Sequence, residues 1–239
     1  MAWFNFFKKS KNKPSDTERS DYFEASAWSD YDYKIFDKDI ELDYTDMNGQ
    51  QTVRKFSVQK YFFADDLSEW FVQGYCHLRA GNRTFRVSRI NSVTDLDTGE
   101  FLTAGISDYF QEVYQSSDFY CYERVCEDFE DEIRVLLYLS RLDGRFTQKE
   151  KDIIVDFVLK GSNGNKEPVR QFFLKERLKY GDTEITQNQA LKSARNIKKR
   201  GPDRVASLGQ AITEISNSVK TQNPVAQAGV QFIRDKLDL

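Results

Sequence analysis

The chain has 239 residues, with 35 Lys and Arg against 38 Asp and Glu, a formal net charge of −3. At ~100–200 residues per domain this is one large domain or two small ones, and the length suffices to bury roughly 70% of the unfolded surface without staples. Near-neutral charge excludes a histone-like polycation but leaves room for a local basic patch, while no apolar run approaches the ~18 residues of a membrane span and no signal-peptide pattern opens the chain.

Residues 1–37 read as a flexible arm. Ala2-Trp3-Phe4-Asn5-Phe6-Phe7 precedes a basic stretch at Lys8, Lys9, Lys11 and Lys13. Aromatics beside lysines can dock on an anionic bilayer, or the rings can pack on the same protein. One short segment binds membrane only marginally, so a membrane partner is not expected.

Residues 38–106 change to a period of two. Ile40-Glu41-Leu42-Asp43-Tyr44 alternates apolar and polar, as does Val53–Val58 around Phe56. Asn48-Gly49 between them suits the positive φ of a tight hairpin. A second hairpin runs from Trp70 to Arg79, turns at Ala80-Gly81-Asn82 and returns over Arg83–Ile90. A short strand about Val93 ends at Asp97-Thr98-Gly99. Short antiparallel strands joined by tight turns predict a small closed barrel, since closure removes sticky edges.

Residues 107–239 change to a helical period. Phe129, Ile133, Leu136, Leu137 and Ser140 form one stripe that stops at Asp143-Gly144. Thr147-Gln148-Lys149-Glu150 matches a capping box. A loop over Gly161–Asn165 and Pro168 at a helix start follow, and then helices over about 169–180, 187–199, 202–220 and 225–237. The fold class is therefore α+β: a small antiparallel barrel followed by a helical bundle.

Alternation in the third strand puts Trp70, Val72, Gly74, Cys76 and Leu78 on one face. Phe71, Gln73, Tyr75, His77 and Arg79 take the other. In the fourth strand Arg83, Phe85, Val87 and Arg89 fall together, opposite Thr84, Arg86 and Ser88. Arginine beside exposed aromatics is the chemistry of nucleotide binding, because guanidinium pairs with phosphate while rings stack on bases. Arg54 in the second strand extends such a patch. The same arginines can instead pair with neighbouring acids.

Trp70-Phe71-Val72-Gln73-Gly74-Tyr75, followed by Arg83-Thr84-Phe85-Arg86-Val87-Ser88-Arg89-Ile90, resembles the WYL domain over about residues 39–97. Tyr44, the glycine turn and Arg54 also sit where that family has equivalents. The resemblance implies an SH3- or Sm-like barrel that regulates by binding nucleic acid or a nucleotide-type ligand. It makes Arg83 and Arg89 the ligand-facing cations, with Arg54 and Tyr75 as secondary contacts; Phe71 and Arg86, on the same two strands, complete the expected ligand-binding set. Phe71 stands in place of the family tyrosine, and Val58 where many members have proline. WYL proteins often carry a helix-turn-helix ahead of the barrel; with only an arm there, a stand-alone sequence-specific repressor is not expected.

Leu136 to Glu150, through Asp143-Gly144, resembles the start of a tellurite-resistance TerB-like domain over about residues 125–239. That family's acidic phrases are associated with divalent metal, which would point to Asp143 and Glu150. Two carboxylates are few for a hard cation wanting six or more oxygens, and a cap and a turn account for both. The family's second acidic phrase is replaced by Thr221-Gln222-Asn223-Pro224.

Lys192, Arg195 and Lys199 form one face of a helix within the basic run that continues to Arg204. The stripe can bind phosphate backbones, remain solvated, or dock on the acids Asp128–Glu132. His77 is the one histidine and lacks triad partners, and neither GxxxxGK[ST] nor GxGxxG occurs. Cys76, Cys121 and Cys126 form no CxxC pair, which disfavours a disulfide framework or thiolate zinc and fits a reducing cytoplasm. The expectation is a non-enzymatic, cofactor-free cytoplasmic sensor of nucleotide or single-stranded nucleic acid. Its helical bundle would meet a protein partner, in a setting of bacterial stress response or defence. The alternatives are a scaffold with internally paired arginines and a metal-binding TerB-like protein.

Overall fold

A computed structural model describes residues 32–160, 166–178, 185–218 and 223–239. The aromatic and basic stretch of the arm and the loop at 161–165 lie outside the described residues. The chain divides into two compact units, one through Tyr120 and the other from Cys121.

The first unit contains β1 (Lys34–Thr45), β2 (Gln51–Ala64), β3 (Glu69–Cys76), β4 (Gly81–Arg86), β5 (Ile90–Asp95), β6 (Phe101–Leu102) and α1 (Ile106–Gln115). The strands pair antiparallel in the order β4-β3-β2-β1-β5-β6. The expected closed barrel is corrected to an open sheet whose edges are β4 and β6. The physical reason is that β5 already pairs with β1 on one side and β6 on the other, leaving no free edge to close on β4. A 3-10 turn at Val87–Arg89 carries the chain from β4 to β5.

The hairpin between β1 and β2 turns as its sequence requires. Gly49 has φ +76°, and the Asp46 carboxylate accepts from the amides of Asn48 (2.8 Å) and Gln50 (2.9 Å). At the β3–β4 turn the left-handed residue is Ala80 (φ 48°), while Gly81 opens β4.

One face of the sheet carries the core: Ile40, Leu42, Tyr44, Phe56, Val58, Val72, Cys76, Phe85 and Val93 are buried. The Phe85 ring meets Tyr44 at 4.8 Å and Phe56 at 5.0 Å, both edge-on. A register shift between Val58 and Lys60 marks a bulge in β2. Beyond it Tyr61 and Phe62 are both buried, because the two faces are covered separately there. Tyr61 packs on Phe110 of α1, whereas Phe62 joins Ala64 and Phe71 in a second cluster flanked by Tyr33 and Leu67. Gly74 pairs with Val58 beside that bulge. A Cβ there would lie 2.0 Å from the Ser57 carbonyl oxygen, so no other residue fits.

Asp95 ties this unit together. Its carboxylate, 3% exposed as a residue, accepts from the Tyr109 hydroxyl (2.9 Å) and from the amides of Asp97 (2.9 Å) and Thr98 (3.1 Å). It also pairs with Lys38 at 2.8 Å. One side chain thereby joins β1, β5, the following turn and α1. Burial alone would raise its pKa, but the Lys38 ammonium and the surrounding donors overcome that and hold it at about 2.

The second unit is helical among the described residues. Helix α2 (Asp118–Asp128) spans the division, followed by α3 (Glu130–Ser140), α4 (Gln148–Lys160) and α5 (Lys166–Phe172), which continues as a π turn over Phe173–Arg177. Then come α6 (Gln187–Lys199), α7 (Pro202–Ser218) and α8 (Pro224–Leu237). Ile133, Leu136, Ile154, Val158, Phe173, Ile197, Ile212 and Ile233 form its interior. The expected box at Thr147 is present: the Thr147 amide donates to Glu150 at 2.7 Å, and the Glu150 amide returns to Thr147 Oγ1 at 3.3 Å. Thr186 and Gln189 make a second such box at the start of α6.

Candidate functional site

The core face continues at its rim into two arginines. Arg54 pairs in register with Leu42, so it lies on the core face two residues before Phe56. Its guanidinium sits 5.2 Å from the Phe85 ring centroid and 5.9 Å from that of Tyr44. Its Nε donates to Thr52 Oγ1 at 3.0 Å, and its Nη2 bonds to the same oxygen. Rings and hydroxyl together fix the cation in place, at little further entropic cost on binding. Among the described residues Arg54 has no ion pair with a carboxylate.

Arg83 pairs with Gly74, and the β3–β4 register runs without a shift. It therefore shares the face of Phe85 and stands half-buried at the rim. Its Nη1 donates to the Asn82 carbonyl oxygen at 2.7 Å and reaches toward Gly81, where a Cβ would lie 3.6 Å away. Gly81 pairs with Cys76, and Cys76 with Phe56, two residues after Arg54 on β2.

The register places Tyr75, Phe71 and Arg86 on the face opposite this rim. Tyr75 pairs with Ser57 and Asn82 on the opposite face, 37% exposed, its ring edge-on to His77 at 5.2 Å. His77 Nε2 is 2.9 Å from Ser57 Oγ. Phe71 and Arg86 pair with each other on that same opposite face. Phe71 is buried at 2%, stacked on Phe62, with the Arg86 guanidinium 5.8 Å from its ring centroid. Arg89 lies in the 3-10 turn, where strand alternation has ended, so the pattern shared with Arg83 stops at Arg86.

In the helical unit the basic run divides. Arg200 binds Asp131 at 3.0 Å and Glu132 at 3.4 Å, and Arg204 binds Glu132 at 3.0 Å. Glu132 is fully buried, so these acids at the start of α3 serve an internal ion network. Lys192, Arg195 and Lys199 instead stand exposed along α6 and have no ion pair among the described residues.

The metal reading does not fit the residues present. Glu150 is buried, and one carboxylate oxygen accepts both the amide and the hydroxyl of Thr147. Asp143 accepts from the Arg145 amide at 2.9 Å, closing the turn at Gly144. Among the described residues no group of three or more His, Cys, Asp or Glu is placed to hold a metal ion.

An aromatic cage went unrecognised in the sequence. The Lys34 ammonium lies 4.7 Å from the Trp70 ring centroid, 5.4 Å from that of Tyr114 and 5.6 Å from that of Tyr61. Trp70 stacks on Tyr61 at 4.4 Å. Its parts come from β1, β2, β3 and α1, so no local pattern announces it. Among the described residues, no helix is long and apolar enough to cross a membrane.

The sheet is also the part of the chain that matches a known family. Residues 35–95 match the family model described as the WYL domain, from the second residue of β1 to the last of β5. The match leaves β6, α1 and the helical unit outside it. Among solved structures, proteasome accessory factor B/C of Arthrobacter aurescens is similar at 25% identity, over 29% of this chain and 10% of that one, with a TM-score of 0.23. The chain thus spans about a tenth of that structure's length. No curated protein matches the chain.

Proposed function

We propose that the sheet unit is a regulatory binding module that takes a nucleotide or single-stranded nucleic acid on the rim formed by Arg54 and Arg83. No catalytic step is involved, and the helical unit passes occupancy to a partner. The observation that carries this reading is the Arg54 guanidinium, held in place by Thr52, Phe85 and Tyr44 yet paired with no carboxylate among the described residues. The WYL match over residues 35–95 supports a regulatory role for the same sheet. A preset cation on a small sheet offers charge-assisted hydrogen bonds to phosphate oxygens.

The test is fluorescence anisotropy with a labelled oligo-dT strand and the full chain, at low and high salt. The double variant Arg54→Ala plus Arg83→Ala is expected to weaken binding about tenfold or more at low salt. Unchanged affinity in that variant overturns the assignment of the rim.

A further inference from the structure

The arginine rim offers a cation but no open ring. Phe85, Tyr44 and Phe56 are 4%, 3% and 1% exposed, and Phe85 is already in T-shaped contact with the other two. The Arg54 guanidinium itself lies against both Phe85 and Tyr44, 5.2 Å and 5.9 Å from their ring centroids. A base could stack on either ring only by displacing that group and breaking its bonds to Thr52. Tyr75, 37% exposed, lies on the opposite face in a T-shaped contact with His77, and Phe101, 64% exposed, pairs with Thr94 on that same face. Phe71, on that face too, is buried against Phe62.

Single-strand binding sites that hold bases combine cations with stacking platforms, each ring strengthening binding about tenfold or more per base. Here the register puts the cations on one face of the sheet and its two exposed rings among the described residues, Tyr75 and Phe101, on the other. We infer that the rim reads phosphate and is indifferent to the base, so that its ligand class is a run of adjacent phosphate groups. This rests on the reading of the Arg54–Arg83 rim as the binding site. Two sources present the same chemistry, a short free polyphosphate chain and the backbone of a nucleic-acid strand.

The experiment compares a labelled oligo-dT strand with an abasic strand of equal length, both on the full chain, with inorganic tripolyphosphate as competitor. The two strands are expected to bind within about threefold of each other, and both to weaken about tenfold in Arg54→Ala. Arg54→Gln, which keeps a polar side chain but removes the charge, is expected to behave alike and guards against misfolding of the alanine variant. Displacement by tripolyphosphate assigns the rim to short phosphate chains; retention of the abasic strand against it assigns the rim to a strand backbone, and both support phosphate reading. An abasic strand bound tenfold or more weaker than oligo-dT, while Arg54→Gln still weakens oligo-dT, overturns base indifference alone. Loss of neither strand's binding in both variants overturns the rim as the site.

Discussion

Replacing Asp95 by Asn probes the central joint of the sheet unit. Asn keeps an oxygen for the amides of Asp97 and Thr98 but sets an amide group against two donors, Lys38 Nζ and the Tyr109 hydroxyl. Holding the carboxyl at about 2 against its usual 3.8 corresponds to on the order of 2 kcal/mol of native stability. Lys38 retains Asp97 at 2.8 Å, so its charge is not orphaned and the loss stays near that figure. For a domain of this size, about 2 kcal/mol lowers Tm by roughly 10 °C, read as the transition of the sheet unit by calorimetry. The sign with pH follows from the depressed pKa. The Asp95 contribution is present in full above about 4 and is lost as pH falls through about 2. Lys38 is raised above 10.5: burial lowers it, but its bonds to Asp95 and Asp97 prevail. Its contribution is therefore present below 10.5 and lost as pH rises through the folded value. Asp95→Asn should melt earlier at neutral pH and show a flatter acid limb than wild type. Equal Tm values and parallel acid limbs would refute the joint.

Gly74→Ala is expected to cost about 3 kcal/mol or more, because its Cβ would lie 2.0 Å from a backbone oxygen that cannot turn aside; urea unfolding at wild-type midpoint contradicts this. Lys34→Gln empties the aromatic cage of its charge and should destabilise the sheet unit by about 1–2 kcal/mol while changing Trp70 emission. Glu132→Ala leaves Arg204 without its carboxylate and strips Arg200 of one of two, for a loss of about 3–5 kcal/mol in the helical transition followed by circular dichroism.

Local chemistry was legible in the sequence where one turn or one helix decides it. Gly49 has the positive φ that Asn48-Gly49 suggests, Thr147 and Glu150 cap α4, and α6 covers 187–199 as expected. The open sheet was not, because closure depends on which strand takes the free edge of β5, and Phe101–Leu102 carries no strand signal of its own. The bulge in β2 was likewise silent, although it decides that Tyr61 and Phe62 are both buried. Docking of the basic run on the acids Asp128–Glu132 was one of the sequence alternatives; the pairs that form use Arg200 and Arg204 rather than the Lys192, Arg195 and Lys199 face, a choice that charge pattern alone does not make. In the site, alternation placed Arg83 beside Phe85, and the unbroken β3–β4 register bears this out. The expected site gathered Tyr75, Phe71 and Arg86 with Arg83, whereas pairing puts these three on the face opposite Arg83. Arg54 emerged as the best-defined cation because Thr52, Tyr44 and Phe85 converge on it from two strands and an edge.

The most direct measurement is the salt dependence of oligo-dT affinity for wild type and Arg54→Gln. Each phosphate neutralised on a single strand contributes about 0.7 to the slope of log K against log salt concentration. The account predicts a slope shallower by about that amount in the variant, with weaker binding at low salt. Parallel lines for the two proteins would show that the rim arginine touches no phosphate.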